Sequence, residues 1–504
     1  MRMLDLLNQI DAIVWGPWLL VLLVGTGIYL TIRLRLLQMV KLPRALRLIF
    51  FARNKGDGDI DSFKALCTAL AATVGTENIV GVATAIKLGG PGALFWMWVV
   101  AFLGASSAFV ESTLGQIYKE RIEGQYRGGP AFYIERGLKL KAYAWAFAIV
   151  TILASCFFCP GVQSNSIALA WNEAFGLDAE VTAAIVASIT CFVIVGGLRR
   201  IATFTSWVVP FMAQAYIVVA LIIVGVNWEQ IPAVMTLIVN SAFGFDSLTG
   251  GMLGAAIAWG VKRGIYSNEA GQGTGPHASS AAAVSHPAKQ GLVQAFSVYI
   301  DTLFVCSATG FMILMTGCYN MQAPDGSMIF EGLKGVEAGP VYTQAAIDQL
   351  MPGWGGPFIA ITIFFFAFTT ILGYYYMAET NMAYLNRYIR KPVLMSACKA
   401  IFIGTVAFGA INSSTLIWTM ADVGVGTMAW LNLIAIMLLQ KPAFIALKDY
   451  ERQLKDGLNP VFHPEQLGIV NATYWEGNRA EDNLAVEEES GVDNLTGLDP
   501  KNPV

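Results

Sequence analysis

Charge is what this chain has little of. Only 13% of its 504 residues are Asp, Glu, Lys or Arg, about half the share usual in a soluble domain. Hydrophobic residues make up 55% and the mean hydropathy is +0.56. Lipid is therefore the expected solvent for most of the chain. A net charge of −3 offers no basic surface for nucleic acid. The three histidines, His277, His286 and His463, are too few and too scattered for a metal cluster. The seven cysteines are odd in number, and Cys156 and Cys159 form a CxxC within an apolar run. Both read as buried, inert thiols on one helix face. No G-x-S-x-G, H-E-x-x-H or P-loop pattern occurs, which argues against an enzyme. The first residues, MRMLDLLNQID, mix acids with one arginine, and the apolar run after Trp15 is long enough to span and stay. Neither suits a cleavable signal peptide.

A membrane-spanning helix needs about 20 mostly apolar residues. Eleven stretches meet this description: 15–34, 64–86, 93–117, 142–171, 179–197, 204–226, 250–284, 290–317, 356–385, 393–411 and 414–440. Basic residues test the count, because cytoplasmic loops are enriched in Lys and Arg. Arg33, Arg35, Lys41, Arg44, Arg47, Arg53 and Lys55 follow the first stretch. Lys119, Arg121, Arg127, Arg136, Lys139 and Lys141 follow the third. Arg199 and Arg200, then Arg387, Arg390 and Lys391, then Lys441, Lys448, Arg452 and Lys455 continue the alternation. The intervening loops and the N-terminus hold little more than Arg2, Lys87 and Lys334. This pattern predicts a multi-pass protein of the cell (inner) membrane with its N-terminus outside and its C-terminus cytoplasmic. Residues 1–440 form the transmembrane domain and 441–504 a cytoplasmic tail. From about 449, with Glu487, Glu488, Glu489, Asp493 and Asp499, the tail holds little that could pack and is expected to be partly disordered. The 318–355 loop is expected to cover the outer mouth.

Two of the stretches are interrupted. In 64–86, Gly75-Thr76-Glu77-Asn78 breaks the apolar run, and Gly81 follows. Non-helical backbone at membrane depth must face protein or a watery cavity. A break there frees N–H groups suited to a carboxylate and carbonyls suited to a cation. In 250–284, Gly271, Gly273, Gly275 and Pro276 disfavour a continuous helix, and Ser267, Asn268 and Glu269 add polar groups. The two breaks lie five helices apart, the pattern of an inverted repeat with the site where the breaks meet. A rival placement makes Lys262 and Arg263 the cytoplasmic end of that helix and SNEAGQG an internal loop. Thr369 and Thr370 interrupt another apolar face; they are either sodium ligands or bond their own i−4 carbonyls. Glu111, Asp301, Glu379 and Asp422 are intramembrane acids and so functional candidates.

These residues sit in motifs that resemble the alanine/glycine:cation symporter family, also called the sodium:alanine symporters. The resemblance runs from about 60 to 440. It is carried by VGTENIVGVATAI (74–86), GGPGALFWMWV (89–99), YRGGPAFYIERGL (126–138), VQSNSIA (162–168), VKRGIYSNEAGQGTGPHASSAAA (261–283), IDTLFVCSATGFMILMTG (300–317) and YYYMAETNMAYL (374–385). It implies an all-α leucine-transporter-type fold, a 5+5 inverted repeat plus one extra N-terminal helix. It also implies sodium- or proton-coupled uptake of alanine, glycine or a similar small amino acid, with no cofactor beyond the coupling ion. Substrate contacts would fall on Gly75, Thr76, Asn78, Gln163, Tyr266, Ser267 and Asn268. By similarity of fold, sodium would touch the carbonyls of Ala71 and Val74 and the hydroxyls of Thr369 and Thr370.

The family pattern G-T-G-N reads Gly75-Thr76-Glu77-Asn78 here. Glu77 therefore joins the candidate site with three open readings. It points away harmlessly, it serves as a cation ligand or proton carrier, or it repels a substrate carboxylate and shifts specificity toward a cationic amine. A transporter-like sensor that binds without transporting is the remaining alternative function.

Overall fold

The computed structural model describes residues 2–51, 62–245, 252–391 and 393–476. Apart from two small antiparallel hairpins, Glu120–Ile122 with Gln125–Arg127 and Asn320–Gln322 with Met328–Glu331, the described regular elements are helical. This follows from the solvent: in lipid, a lone segment satisfies its backbone only by coiling.

Among the described residues, eight helices are long and apolar enough to cross a membrane: Leu4–Arg33, Gly92–Ile117, Lys141–Phe175, Arg200–Val226, Pro287–Thr316, Gly355–Ile389, Val393–Ile411 and Ser414–Lys455. Three further expected spans fall on Ala179–Ile194, only 16 residues long, and on two helices interrupted midway. The exposed faces are apolar, with Trp207, Phe211 and Leu221 turned outward, as befits lipid contact.

The first broken helix runs Ser62–Thr73, makes a single 3-10 turn at Thr76–Asn78 and resumes at Val80–Gly89. The second runs Leu253–Asn268, breaks, and resumes at Gly275–Ser280. Gly271 and Gly273 take left-handed backbone at the second break, which glycine adopts at no steric cost. This rules out the rival placement. Lys262 and Arg263 lie inside the helix and are buried, as is every residue from Ser267 to Gly273. The segment is an interruption among packed helices and not a loop. Wide π turns also occur at Leu153–Phe158 and Ile300–Cys306, a distortion frequent at functional sites. The first carries Cys156, whose Sγ lies 4.0 Å from that of Cys398.

The chain after 449 packs more than its polar composition predicts. Helix Ser414–Lys455 continues well past 440, and Phe462, Ile469, Tyr474 and Trp475 are buried beyond it. Trp475 Nε1 donates to the Gln116 carbonyl at 3.0 Å, and Phe462 N–H donates to the Ser285 carbonyl at 3.0 Å. Lys119 Nζ donates to the Ala282 carbonyl at 2.8 Å and lies over the rings of Tyr126, Tyr474 and Trp475. A few aromatics thus anchor a stretch that reads as solvated. The acidic residues 487–499 lie outside the described residues. Trp475→Ala is expected to cost about 3 kcal/mol, as buried tryptophan truncations do, and to lower the Tm of the detergent-purified protein by several degrees.

Between the helices, Glu120, Glu135, Arg136 and Arg387 form one ion-pair cluster. Burial works against the charge of Glu135. Hydrogen bonds from the Tyr384 and Tyr388 hydroxyls, with the Arg387 and Arg136 guanidinium groups, outweigh it and hold its carboxyl below the usual carboxylate range. A depressed carboxyl adds stability that is complete above its unfolded value and disappears as pH falls through the folded one. The Tm advantage of the wild type over Glu135→Gln should therefore be constant at neutral pH and shrink only below the ordinary glutamate range. A thermal-shift series across pH 3–7 reads this directly. The 318–355 loop packs on the end of the first broken helix, where Lys87 pairs with Glu337.

Candidate functional site

A helix that stops in mid-membrane leaves carbonyls unpaired at one end and N–H groups at the other. At the first break, Gly75 N–H would have continued the helix onto the Ala71 carbonyl. Instead it donates to Asn78 Oδ1 at 2.8 Å. Thr76 N–H donates to Gln163 Oε1 at 3.2 Å, from helix Cys159–Phe175. Asn78 Nδ2 donates to Asp301 Oδ1 at 2.7 Å and to Ser267 Oγ at 3.3 Å, and Ser267 Oγ donates to Asp301 Oδ2 at 2.8 Å. Gly75, Thr76, Asn78, Gln163 and Ser267 are thereby joined across both breaks. Two expected contacts sit differently. Asn268 turns toward Thr302 Oγ1 and the Ala270 N–H, and the ring of Tyr266 lies against the Arg263 guanidinium. Among the described residues Thr76 Oγ1 and the Tyr266 hydroxyl are buried with no hydrogen-bond partner, a costly state unless a polar ligand completes them.

Helix Gly355–Ile389 closes on the first break. A Cβ on Gly75 would stand 2.4 Å from Thr370 Oγ1, and one on Gly373 would stand 2.9 Å from Ala72 Cβ. Thr370 therefore faces the residues beside Ala71 and Val74. Thr369 lies one residue on, with Met212 Sδ 3.9 Å from its hydroxyl. Both threonines donate to i−4 carbonyls, Phe365 and Phe366, at 2.9 and 3.0 Å. Donation uses the hydroxyl hydrogen and leaves oxygen lone pairs for a hard cation.

Glu77 has a partner that sequence spacing did not reveal. Its Oε1 accepts from Arg263 Nη1 at 3.1 Å, and Arg263 Nη2 reaches Asp422 Oδ2 at 2.9 Å. Lys262 Nζ lies 2.8 Å from Asp422 and 3.0 Å from Asp11. The rings of Trp259, Tyr266 and Trp418 surround the guanidinium at 5.5, 5.6 and 4.9 Å. Glu77 Oε2 occupies the space where a Cβ on Gly81 would stand, 1.7 Å away, so Gly81 makes room for the carboxylate. The available signal was the Lys262-Arg263 pair itself, two cations within an apolar span. Two further acids anchor the site. Asp301 takes a third hydrogen bond from Thr302 Oγ1 at 2.8 Å. Glu111 accepts from the Gly271 and Gly273 N–H groups at 3.2 and 3.1 Å and from Asn432 Nδ2 at 2.6 Å, holding the second break open. Sequence reasoning marked both only as intramembrane acids.

Two interrupted helices meeting at mid-bundle, among long apolar spans, give the chain a fold of the leucine-transporter type. A crystal structure of MhsT in complex with L-phenylalanine shares the fold, with a TM-score of 0.57 at 13% identity over 86% of this chain and all of that one. The chain belongs to the sodium:alanine symporter family, whose model matches residues 1–464. It is 56% identical over 474 residues to YrbD of Bacillus subtilis (strain 168), covering 94% of this chain and 98% of that one. It is 48% identical to the sodium/proton-dependent alanine carrier protein of Bacillus sp. (strain PS3), over 86% of this chain and 97% of that one. It is 41% identical to the sodium/alanine symporter AgcS of Methanococcus maripaludis, over 87% and 95%.

Proposed function

We propose that this protein imports alanine, glycine or a similarly small amino acid together with sodium, by alternating access. The observation that carries this is the first break. The N–H groups of Gly75 and Thr76 are directed at side-chain amide oxygens, from Asn78 and Gln163, where a substrate carboxylate can take their place. Thr76 Oγ1 and the Tyr266 hydroxyl supply further unused polar atoms. Gly75 packs directly on Thr370 and Gln163, which holds the break against the threonine pair. Ala71 and Val74 carbonyls with Thr370, joined by Thr369, form the sodium shell next to it. Glu77 is matched by Arg263 and adds no unpaired negative charge at the site, which favours a zwitterion over a cationic amine. Eleven spans in a 5+5 inverted repeat plus one, with the N-terminus outside and residues 441–504 cytoplasmic, complete the reading.

The test is uptake of labelled alanine and glycine into proteoliposomes under an inward sodium gradient, a proton gradient or neither. Sodium-driven accumulation above the equilibrium level is expected. Accumulation driven by the proton gradient alone would replace sodium with a proton. Binding of alanine with no accumulation or counterflow under either gradient would make the protein a sensor.

A further inference from the structure

A cavity lies one helical turn beyond the sodium shell, on the side toward residues 62–69 and 377–389. Gly373 and Met377, which follow Thr369 and Thr370 along their helix, line it, as do Ala72 and Thr73, which precede Val74. Among the described residues its ionisable lining is two carboxylates, Glu111 and Glu269, and one imidazole, His277, with no lysine or arginine. The carboxylates differ. Glu111 has both oxygens engaged by the Gly271 and Gly273 N–H groups and by Asn432, and so serves to position the break. Glu269 lies beside two hydroxyls, of Thr274 and Tyr374. It also holds left-handed backbone, φ +57°, a conformation that L side chains rarely adopt and that turns up where function over-determines it.

The cavity presents polar atoms that have no partner among the described residues. Thr73 Oγ1, Ser112 Oγ and Gln294 Nε2 are without hydrogen-bond partners, on residues only 8%, 0% and 2% exposed. Hydroxyl oxygens and a carboxylate are hard ligands, and the amide donor calls for water. A monovalent cation with a single water meets all of these at once, in a cavity of about 20 Å³. An enclosed wall of one sign concentrates counter-ions.

Resting on the sodium-coupled reading above, we propose that this cavity is a second cation station, through which sodium passes from the Thr369–Thr370 shell toward the cytoplasm, with Glu269 supplying its charge. The ion exchanges the shell's carbonyls for Glu269, the Thr73 and Ser112 hydroxyls and water, and the first break is then free to reset.

The full-length protein in proteoliposomes tests this with ²²Na⁺. Two quantities are measured: the sodium dependence of alanine binding at equilibrium and the rate of alanine-stimulated ²²Na⁺ exchange. Glu269→Gln should keep the apparent sodium affinity for alanine binding within about threefold while slowing exchange at least tenfold, roughly the effect of losing one charge contact. Thr73→Val, isosteric and uncharged, should slow exchange about threefold with binding kept, and it carries the test should Glu269→Gln not fold. Exchange at the wild-type rate in a folded variant would overturn the proposal. So would an equal loss of binding and exchange, which would place Glu269 in the primary site. A wild type whose alanine binding ignores sodium would instead overturn the functional reading, and this inference with it.

Discussion

Arg263→Ala should abolish sodium-driven alanine uptake and sharply reduce the yield of folded protein. The guanidinium is the cation shared by Glu77 and Asp422. Without it Asp422 still has Lys262 at 2.8 Å, but Glu77 remains as a buried carboxylate with its Oε2 already unpartnered. Removing one member of a buried ion pair costs about 3–5 kcal/mol, a large part of the stability of a typical protein. Glu77→Gly acts in the opposite direction. It deletes the acid together with its unpartnered Oε2, restores the glycine of the family pattern and leaves Arg263 with Asp422. Uptake should then stay within about fivefold of wild type, the equivalent of 1 kcal/mol. The double variant should recover at least about tenfold over Arg263→Ala, because residues in contact are not additive. Uptake rates and elution profiles of the four proteins decide the matter. If Glu77→Gly alone removes the sodium dependence, Glu77 is a coupling residue and not simply the partner of Arg263.

Gly75→Ala is the second severe change. Its backbone, φ −137°, suits alanine, so strain is not the reason. Space is: the new Cβ would stand 2.4 Å from Thr370 Oγ1 and 3.2 Å from Gln163 Oε1. Overpacking of this kind costs about 1–3 kcal/mol, and the break can relieve it only by moving off helix Gly355–Ile389. That shift displaces the N–H groups of the break and separates Thr370 from Ala71 and Val74. Alanine uptake should fall by about tenfold to a hundredfold, with the sodium concentration for half-maximal rate rising. Adding Thr370→Ala removes the clash and should restore Tm without restoring uptake, since the hydroxyl is lost as well. Recovery of sodium-driven uptake in that double variant would take Thr370 out of the sodium shell.

The eight long apolar helices were legible because each is a local property, an unbroken apolar run. The two breaks were legible for the same reason: Gly75 to Asn78 and Gly271 to Pro276 interrupt runs that would otherwise be continuous. The partners of the site acids were not. Glu77 and Arg263 are 186 positions apart, and Asn78 and Asp301 are 223 apart, so only the packed bundle pairs them. Lys262 and Arg263 left a rival placement open. Cations in an apolar stretch usually mark its end, and these two instead lie within it because Glu77, Asp422 and Asp11 surround them. The tail shows the opposite error. Composition averages a long polar stretch and dilutes the few aromatics that fix it, Phe462, Tyr474 and Trp475.

That docked tail bears on how the molecule is made. Lys119, just past helix Gly92–Ile117, emerges from the ribosome shortly before the Tyr126 ring but more than three hundred residues before the other two rings it lies over, Tyr474 and Trp475. The Gln116 carbonyl waits as long for Trp475, and the last helix must be in place before either ring can dock. Docking of residues 459–476 is thus an end-of-assembly event, a seal that forms once every membrane segment upstream has found its position. Reporter fusions placed after residue 476 leave that seal intact, whereas truncations before residue 459 yield a chain that is inserted yet unfinished.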